Sequence, residues 1–221
     1  MDEEGHNHGP DSPQVREALR RVDAAVGALL DTLRAHGQLE RTNIVIVSDH
    51  GMATVAPEHV VAVEDMVSKQ EAVVVSVGQV VGVQPNPGFE AAVEARLLGR
   101  HPPYTCWRKG ELPARWHYGS NARIPPIVCQ MDEGWDALPA EQAARRRLLG
   151  HDRGSHGYDP ALESMRAIFI AHGPAFRRGV VLPAFDNVDV YPLLAHLLQV
   201  PPQPNDGTLA PLQAGLQPPA H

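Results

Sequence analysis

The segment from Thr42 to Met52, TNIVIVSDHGM, constrains the fold more than any other part of this 221-residue chain. Ile44 to Val47 are four β-branched residues with no alternation of polar and apolar positions. That pattern belongs to a strand covered on both faces, as in the interior of a parallel sheet. The run stops abruptly at Ser48, Asp49, His50 and Gly51. Open α/β sheets carry their chemistry just beyond the carboxyl ends of such strands. A carboxylate and an imidazole side by side at such a tip, followed by a glycine, suit a metal ion.

A helix precedes this strand. Ser12 is placed to cap it and Pro13 suits its first position. Val15, Leu19, Val22, Val26, Leu29, Leu30 and Leu33 then recur at spacings of three and four, which predicts one apolar face, and Gly37 is placed to end the helix. The ten residues before it, MDEEGHNHGP, are too polar for a strand and too glycine-rich for a helix. They read as a loop held in place by the helix that follows.

Downstream, EAVVVSVGQVVGVQP predicts two short strands, or one bent one, around Gly78 and Gln79. Phe89 to Leu98 reads as a short helix stopped by Gly99, and Tyr104 to Arg108 and Ile127 to Met131 read as strands. Glu141 to Leu149 reads as a helix, with Arg145, Arg146 and Arg147 expected on a solvated face. A glycine-broken loop from Gly150 to Pro160 leads to a second buried-type run, Arg166 to Ala171. A helix from Val188 to about Val200 and a proline-rich tail close the chain. Helices and strands alternate, so the expected class is α/β.

The length accommodates one substantial domain or two small ones. A formal net charge of -7 leaves no basic patch for nucleic acid. It says little about small anions, because a bound dication can reverse the local sign. No apolar run reaches the ~18 residues that a membrane span needs. Cys106 and Cys129 both fall on expected strands. Two buried free thiols are the expectation and a bridge is the alternative.

Twelve histidines make metal chemistry worth tracing. Four places carry suitable groups: Asp2 with His6, Asp49 with His50, the stretch from His151 to Asp159, and His172. Singly, each is ordinary, since a loop histidine is usually a surface residue and Asp-His-Gly is a common turn. Zinc favours tetrahedral sets of imidazole nitrogen and carboxylate oxygen. Phosphoryl-transfer enzymes often hold two metals about 4 Å apart. Spacing along the chain does not by itself gather such a set.

Taken together, the segments resemble one family. DEEGHNHGP is similar to its Asp-x-x-Gly-His-x-x-Gly-Pro element, and SDHGM, GSHGYDP, AIFIAHGPAF and NVDVYPLLAHLLQVPPQPNDGTL follow in the family's order and at its usual separations. This is the nucleotide pyrophosphatase/phosphodiesterase family, within the alkaline phosphatase superfamily. The resemblance runs from Asp2 to about Leu212 and is weakest over residues 53–130. It implies part of an alkaline-phosphatase-like sandwich: a mostly parallel sheet flanked by helices, without its N-terminal strands. Residues 1–212 would then be the C-terminal portion of one phosphodiesterase catalytic domain, and residues 213–221 a tail.

The resemblance also implies a two-zinc site, with Asp2, His6 and His156 on one zinc and Asp49 and His50 on the second. His8, His151 and His172 match no ligand position. Pro160 stands where the family commonly has Asn, which changes a turn and no ligand. The family's remaining zinc-binding Asp and its Thr or Ser nucleophile lie ahead of these motifs and are expected upstream of residue 1. The second zinc site is therefore expected to be incomplete, and a missing N-terminal half is an expected partner. The implied substrate is a small nucleotide or phosphodiester, cleaved through a covalent intermediate. The implied location is periplasmic or extracellular, with any export signal upstream. Two alternatives stay open: an inactive truncated or split fragment, and another superfamily hydrolase such as a phosphomonoesterase or sulfatase.

Overall fold

A computed structural model of the protein describes residues 1–218. In chain order its first elements are α1 (Asp2–His8), α2 (Pro13–Ala35), β1 (Ile44–Val47), β2 (Ala53–Val55), β3 (Val60–Ala62), α3 (Val63–Met66), β4 (Ala72–Ser76) and β5 (Val80–Pro85). There follow α4 (Glu90–Leu97), β6 (Gly99–His101), β7 (Tyr104–Arg108), β8 (Ile127–Met131), β9 (Asp136–Leu138), α5 (Ala140–Arg147), β10 (Arg153–Ser155), β11 (Phe169–His172) and α6 (Val190–Leu198). Among the described residues no helix is long and apolar enough to cross a membrane. The chain forms two compact units.

The first unit comprises Met1–Arg21 and His50–Arg166. Its main sheet has the order β4-β5-β8-β7-β6, with every pairing antiparallel. Val81, Val83, Ile127, Cys129 and Met131 from this sheet meet Val93 and Leu97 of α4 in a core where each is almost wholly removed from water. Two smaller ladders belong to the same unit, β3 with β9 in parallel and β2 with β10 antiparallel.

The second unit comprises Val22–Asp49 and the residues after Arg166. Here β1 pairs with β11 around a cluster of Val45, Phe169, Phe176, Leu193 and Leu212. The residues expected to begin a tail stay with this unit: the Arg177 amide donates to the Gly215 carbonyl at 2.8 Å, and Leu216 bridges to Phe176. The last three residues of that expected tail lie outside the described residues.

The class is α/β as expected, but the sheets are mixed rather than mostly parallel. Strand β1 runs antiparallel to β11, with Ile44 opposite His172 and Val47 opposite Phe169. It is also less covered than its composition suggests, since Val47 is exposed and its other three residues are half-buried. An unbroken apolar run specifies a hydrophobic environment and carries no information about the direction of a neighbour. The expected apolar face of α2 is likewise only partly covered, and Leu19, Val22 and Leu29 are about half exposed. The ends of α2 match expectation. The Val15 amide donates to Ser12 Oγ at 3.2 Å, and Gly37 follows the helix at φ +65°.

Three further expectations are corrected. Residues 2–8 form a helix rather than a loop, with acids in the first turn and histidines in the last, and with i,i+4 pairs Asp2–His6 and Glu4–His8 at 3.5 and 3.6 Å. Those favour a helix despite Gly5. The three arginines of α5 are not one solvated face. Arg145 pairs outward with Glu141, Arg147 donates to the Val60 carbonyl at 2.9 Å, and the largely buried Arg146 lies 3.2 Å from Asp136. Successive residues on a helix differ by about 100° in direction, so a run of three spans surface and core. Finally, Cys106 and Cys129 are bridged. They stand directly opposite each other on β7 and β8, a register that neither spacing nor composition reveals.

Candidate metal centre

The β2–β10 ladder brings distant parts of the first unit together. Its antiparallel register sets Ser155 opposite Ala53. The chain leaving β10 and the chain entering β2 therefore emerge at the same end, and they carry His156 and His50 respectively. The two imidazoles lie face to face, with centroids 3.5 Å apart and planes 16° apart. His50 Nδ1 donates to the Gly51 carbonyl at 2.8 Å.

Helix α1 packs against β10 at a pair of buried glycines. A Cβ on Gly154 would sit 2.4 Å from the Gly5 carbonyl oxygen, and a Cβ on Gly5 would sit 2.4 Å from Met52 Sδ. A side chain at Gly154 would push the helix away, and one at Gly5 would displace the end of Met52. This close approach lets His6 Nδ1 donate to the Gly154 carbonyl at 2.9 Å. A carbonyl can only accept, so the bond places the proton on Nδ1 and leaves the lone pair of the neutral ring on Nε2. Fixing a ring in this way through its other nitrogen is the usual support of a metal-binding histidine.

His6 Nε2 then faces His156 Nε2 at 3.1 Å, while Asp2 places Oδ2 3.5 Å from His6 and Oδ1 3.6 Å from His156. Asp2, His6 and His156 can each offer one ligand atom to a common point. Tetrahedral zinc with bonds of about 2.0–2.1 Å separates its ligand atoms by about 3.3 Å. One carboxylate and two imidazoles at these separations fit that requirement and leave a fourth position for substrate. The group is open to solvent on the Asp2 side, where the side chain is 59% exposed.

Of the five residues expected as ligands, the structure brings Asp2, His6 and His156 together and places His50 against His156. Asp49 falls in the second unit, where its backbone carbonyl accepts from Asn187 Nδ2 at 3.0 Å. Asp49 and His50 belong to no second group of three candidate ligands among the described residues. The other histidines of this region do other work. His8 stacks on His151, and His151 Nε2 donates to the Asn7 carbonyl at 3.1 Å.

The glycine after His50 is also required. A Cβ on Gly51 would lie 2.1 Å from the Ser164 carbonyl oxygen. Further along the turn that carries His156, Asp159 is gripped through both oxygens by Arg115. The guanidinium, outweighing burial and assisted by the Ala161 amide, holds the Asp159 carboxyl down to about 2. A carboxyl depressed on folding stabilises the protein above its unfolded value, and that contribution disappears as pH falls toward 2. In Arg115→Ala the Asp159 titration is expected to move up toward the ordinary value of 3.8. Carboxyl-carbon NMR across pH 1.5–6 reads this directly, and an unmoved midpoint would refute the assignment.

Fold and site together define an α/β protein with a solvent-facing cluster of candidate metal ligands where helix α1 meets the end of β10. The description of the type I phosphodiesterase / nucleotide pyrophosphatase family matches residues 1–159, and the chain belongs to that family. It is 37% identical over 208 residues to ectonucleotide pyrophosphatase/phosphodiesterase family member 5 of Homo sapiens, covering 94% of this chain and 42% of the relative. It is 35% identical over 210 residues to the bis(5'-adenosyl)-triphosphatase of Xenopus laevis, covering 95% and 45%. The solved structure of murine ectonucleotide pyrophosphatase/phosphodiesterase 5 superposes with a TM-score of 0.89 at 35% identity, over 98% of this chain and 56% of that one. An inactive variant of the murine protein, in complex with AMP, superposes with a TM-score of 0.88. The chain thus spans less than half the length of these curated relatives.

Asp136 is the residue of this region that sequence reading did not single out. It is almost completely buried at the start of β9 and collects hydrogen bonds from Gln79, Ser155 and Tyr158. The available signal was a lone acid opening the short apolar run Asp136-Ala137-Leu138, where an unpaired carboxylate would be costly.

Proposed function

We propose that this chain supplies metal ligands to a zinc-dependent phosphodiesterase or nucleotide pyrophosphatase. The observation that carries the reading is the convergence of Asp2, His6 and His156 at separations suited to zinc. Asp49 and His50 are proposed as ligands of a second zinc, by resemblance to the family. Zinc bound here would supply Lewis-acid stabilisation of the charge that develops on a transferring phosphoryl group.

The chain's own part is to hold donors in place. The Gly154 carbonyl orients the His6 ring, and the β2–β10 ladder fixes where His50 and His156 emerge. Bond cleavage would proceed by in-line attack of a Thr or Ser hydroxyl, forming a covalent intermediate that water then releases. That nucleophile and one further carboxylate are expected outside the residues described here. The short span relative to known family members supports this, as does the half-exposed apolar surface of Leu19 in the first unit and of Ile168 and Ile170 in the second. The substrate class is a nucleotide phosphodiester or pyrophosphate, supported by the AMP complex of the murine relative. The cross-strand disulfide favours an oxidising compartment.

The test is hydrolysis of a nitrophenyl phosphodiester by a form of the protein carrying the upstream residues that its relatives have. Asp49→Ala and His156→Ala are expected to lower kcat/KM by at least about 100-fold, a loss of roughly 3 kcal/mol of transition-state stabilisation. Full activity in both variants would end the proposal. The 221-residue chain alone is expected to show no turnover with zinc present, and measurable zinc-dependent hydrolysis by it would mean the nucleophile lies within these residues.

A further inference from the structure

Four side chains and one helix meet at Asp136. Its Oδ1 accepts from Gln79 Nε2 at 2.7 Å and from the Tyr158 hydroxyl at 3.3 Å. Its Oδ2 accepts from Ser155 Oγ at 3.1 Å, and the Arg146 guanidinium of α5 lies 3.2 Å from the same oxygen. Asp136 is 1% exposed, and Ser155 and Tyr158 are each 4% exposed. A carboxylate removed from water this completely is sustained only by such a full set of partners.

Two of those partners, Ser155 and Tyr158, bracket the segment His156-Gly157. A third bond grips the same segment from the sheet, where Gln130 Nε2 donates to the Gly157 carbonyl at 3.3 Å. The carboxylate therefore ties both ends of a four-residue turn to β9, and His156 stands on that turn. Asp136 itself is fixed by the parallel pairing of β9 with β3 and by its amide, which donates to the His59 carbonyl at 3.1 Å.

We propose that Asp136 is a positioning residue for the metal centre, holding the turn from Ser155 to Tyr158 so that His156 Nε2 meets His6 and Asp2 before any ion binds. The inference rests on the metal reading given above. Supporting groups behind ligands typically contribute 10–100-fold to metal affinity. With the centre preformed, binding requires no ordering of the turn, and without the tether His156 would have to be recruited at each binding event.

The experiment is a cobalt titration of the full chain, followed both by affinity and by the visible d–d spectrum, in which tetrahedral and more highly coordinated Co2+ differ. Asp136→Asn keeps the shape of the side chain, and Ser155→Ala removes one tether while leaving Arg146, Gln79 and Tyr158 in place. Each is expected to weaken Co2+ binding by about 10-fold or more and to reduce the tetrahedral bands, with far-UV circular dichroism unchanged. If Asp136→Asn fails to fold, Ser155→Ala and Tyr158→Phe decide the matter. Folded variants with wild-type affinity and spectrum would overturn the inference even where His156→Ala abolishes binding. A wild-type chain that takes up no Co2+ would overturn the metal reading and the inference with it.

Discussion

His156→Ala is expected to lower the zinc affinity of this chain by at least about 100-fold. Zinc sites held by protein side chains contribute roughly 10–16 kcal/mol in total. Divided among three or four ligands, that is about 2.5 to 5 kcal/mol each, or about two to four decades in affinity. His156 lies 3.1 Å from His6 and 3.6 Å from Asp2, and unlike the other two its ring also supports that of His50. Removing it takes away a donor and leaves His50 without the ring it stacks on. His151→Ala is the matched control, since that exposed ring bonds to the Asn7 backbone and matches no ligand position. Competition with a chromophoric chelator measures both. Equal affinities in the two variants would remove His156 from the site.

Replacing both cysteines is the second large effect. Cys106 and Cys129 close a loop of sequence separation 23 between adjacent strands. The chain-entropy account of such a cross-link gives about 3 kcal/mol of stabilisation. For chains of this size that corresponds to a fall in Tm of roughly 6–12 °C. Both sulfurs belong to the almost fully excluded core of the first unit, so the double alanine variant also loses packing, which acts in the same direction. Single replacements are less informative because they leave one buried thiol. The double variant Cys106→Ala/Cys129→Ala should be compared with the oxidised chain by thermal unfolding. A Tm within about 2 °C of the parent would show that the unfolded state was not appreciably constrained by the bridge.

These two predictions differ in how far they could be read from the sequence. The proposed ligands could be picked out because they occur in ordered motifs, and no single one of them would have sufficed. SDHGM and GSHGYDP place His50 and His156 on chain segments that leave and enter strands. Five such segments in family order point to the phosphodiesterase / nucleotide pyrophosphatase family, which the match over residues 1–159 shows. The disulfide was not legible. It depends on β7 and β8 being neighbours in a register that sets position 106 opposite 129. That choice is made by packing against α4 and the rest of the sheet, over long sequence distances.

The N-terminal helix shows a different kind of limit. Residues 2–8 contain a glycine and alternate acids with histidines, so propensity argues weakly in any direction. Acid–histidine contacts four residues apart support the helix. So does Gly5, whose missing side chain leaves room for Met52. Only the partner surface makes Gly5 an asset, and a reading of the local sequence sees it as a breaker. Arg146 follows the same logic, since its role depends on the buried carboxylate of Asp136, ten residues earlier and on another element.

Within the Thr42–Met52 segment the division is sharp. Side-chain chemistry alone indicated that Ile44 to Val47 would form a strand and that it would stop ahead of Asp49 and His50. These are local properties of β-branched residues and polar donors, whereas the need for glycine at 51 comes from its tertiary approach to Ser164. Tertiary structure decided the rest: that β1 pairs antiparallel with β11, that Asp49 goes with the second unit, and that His50 lies over His156 at the mouth of the β2–β10 ladder. Strand direction and ladder register are set here by contacts between residues about a hundred or more positions apart. Hydrophobic patterning has a period of two along a strand and is the same for a parallel and an antiparallel neighbour.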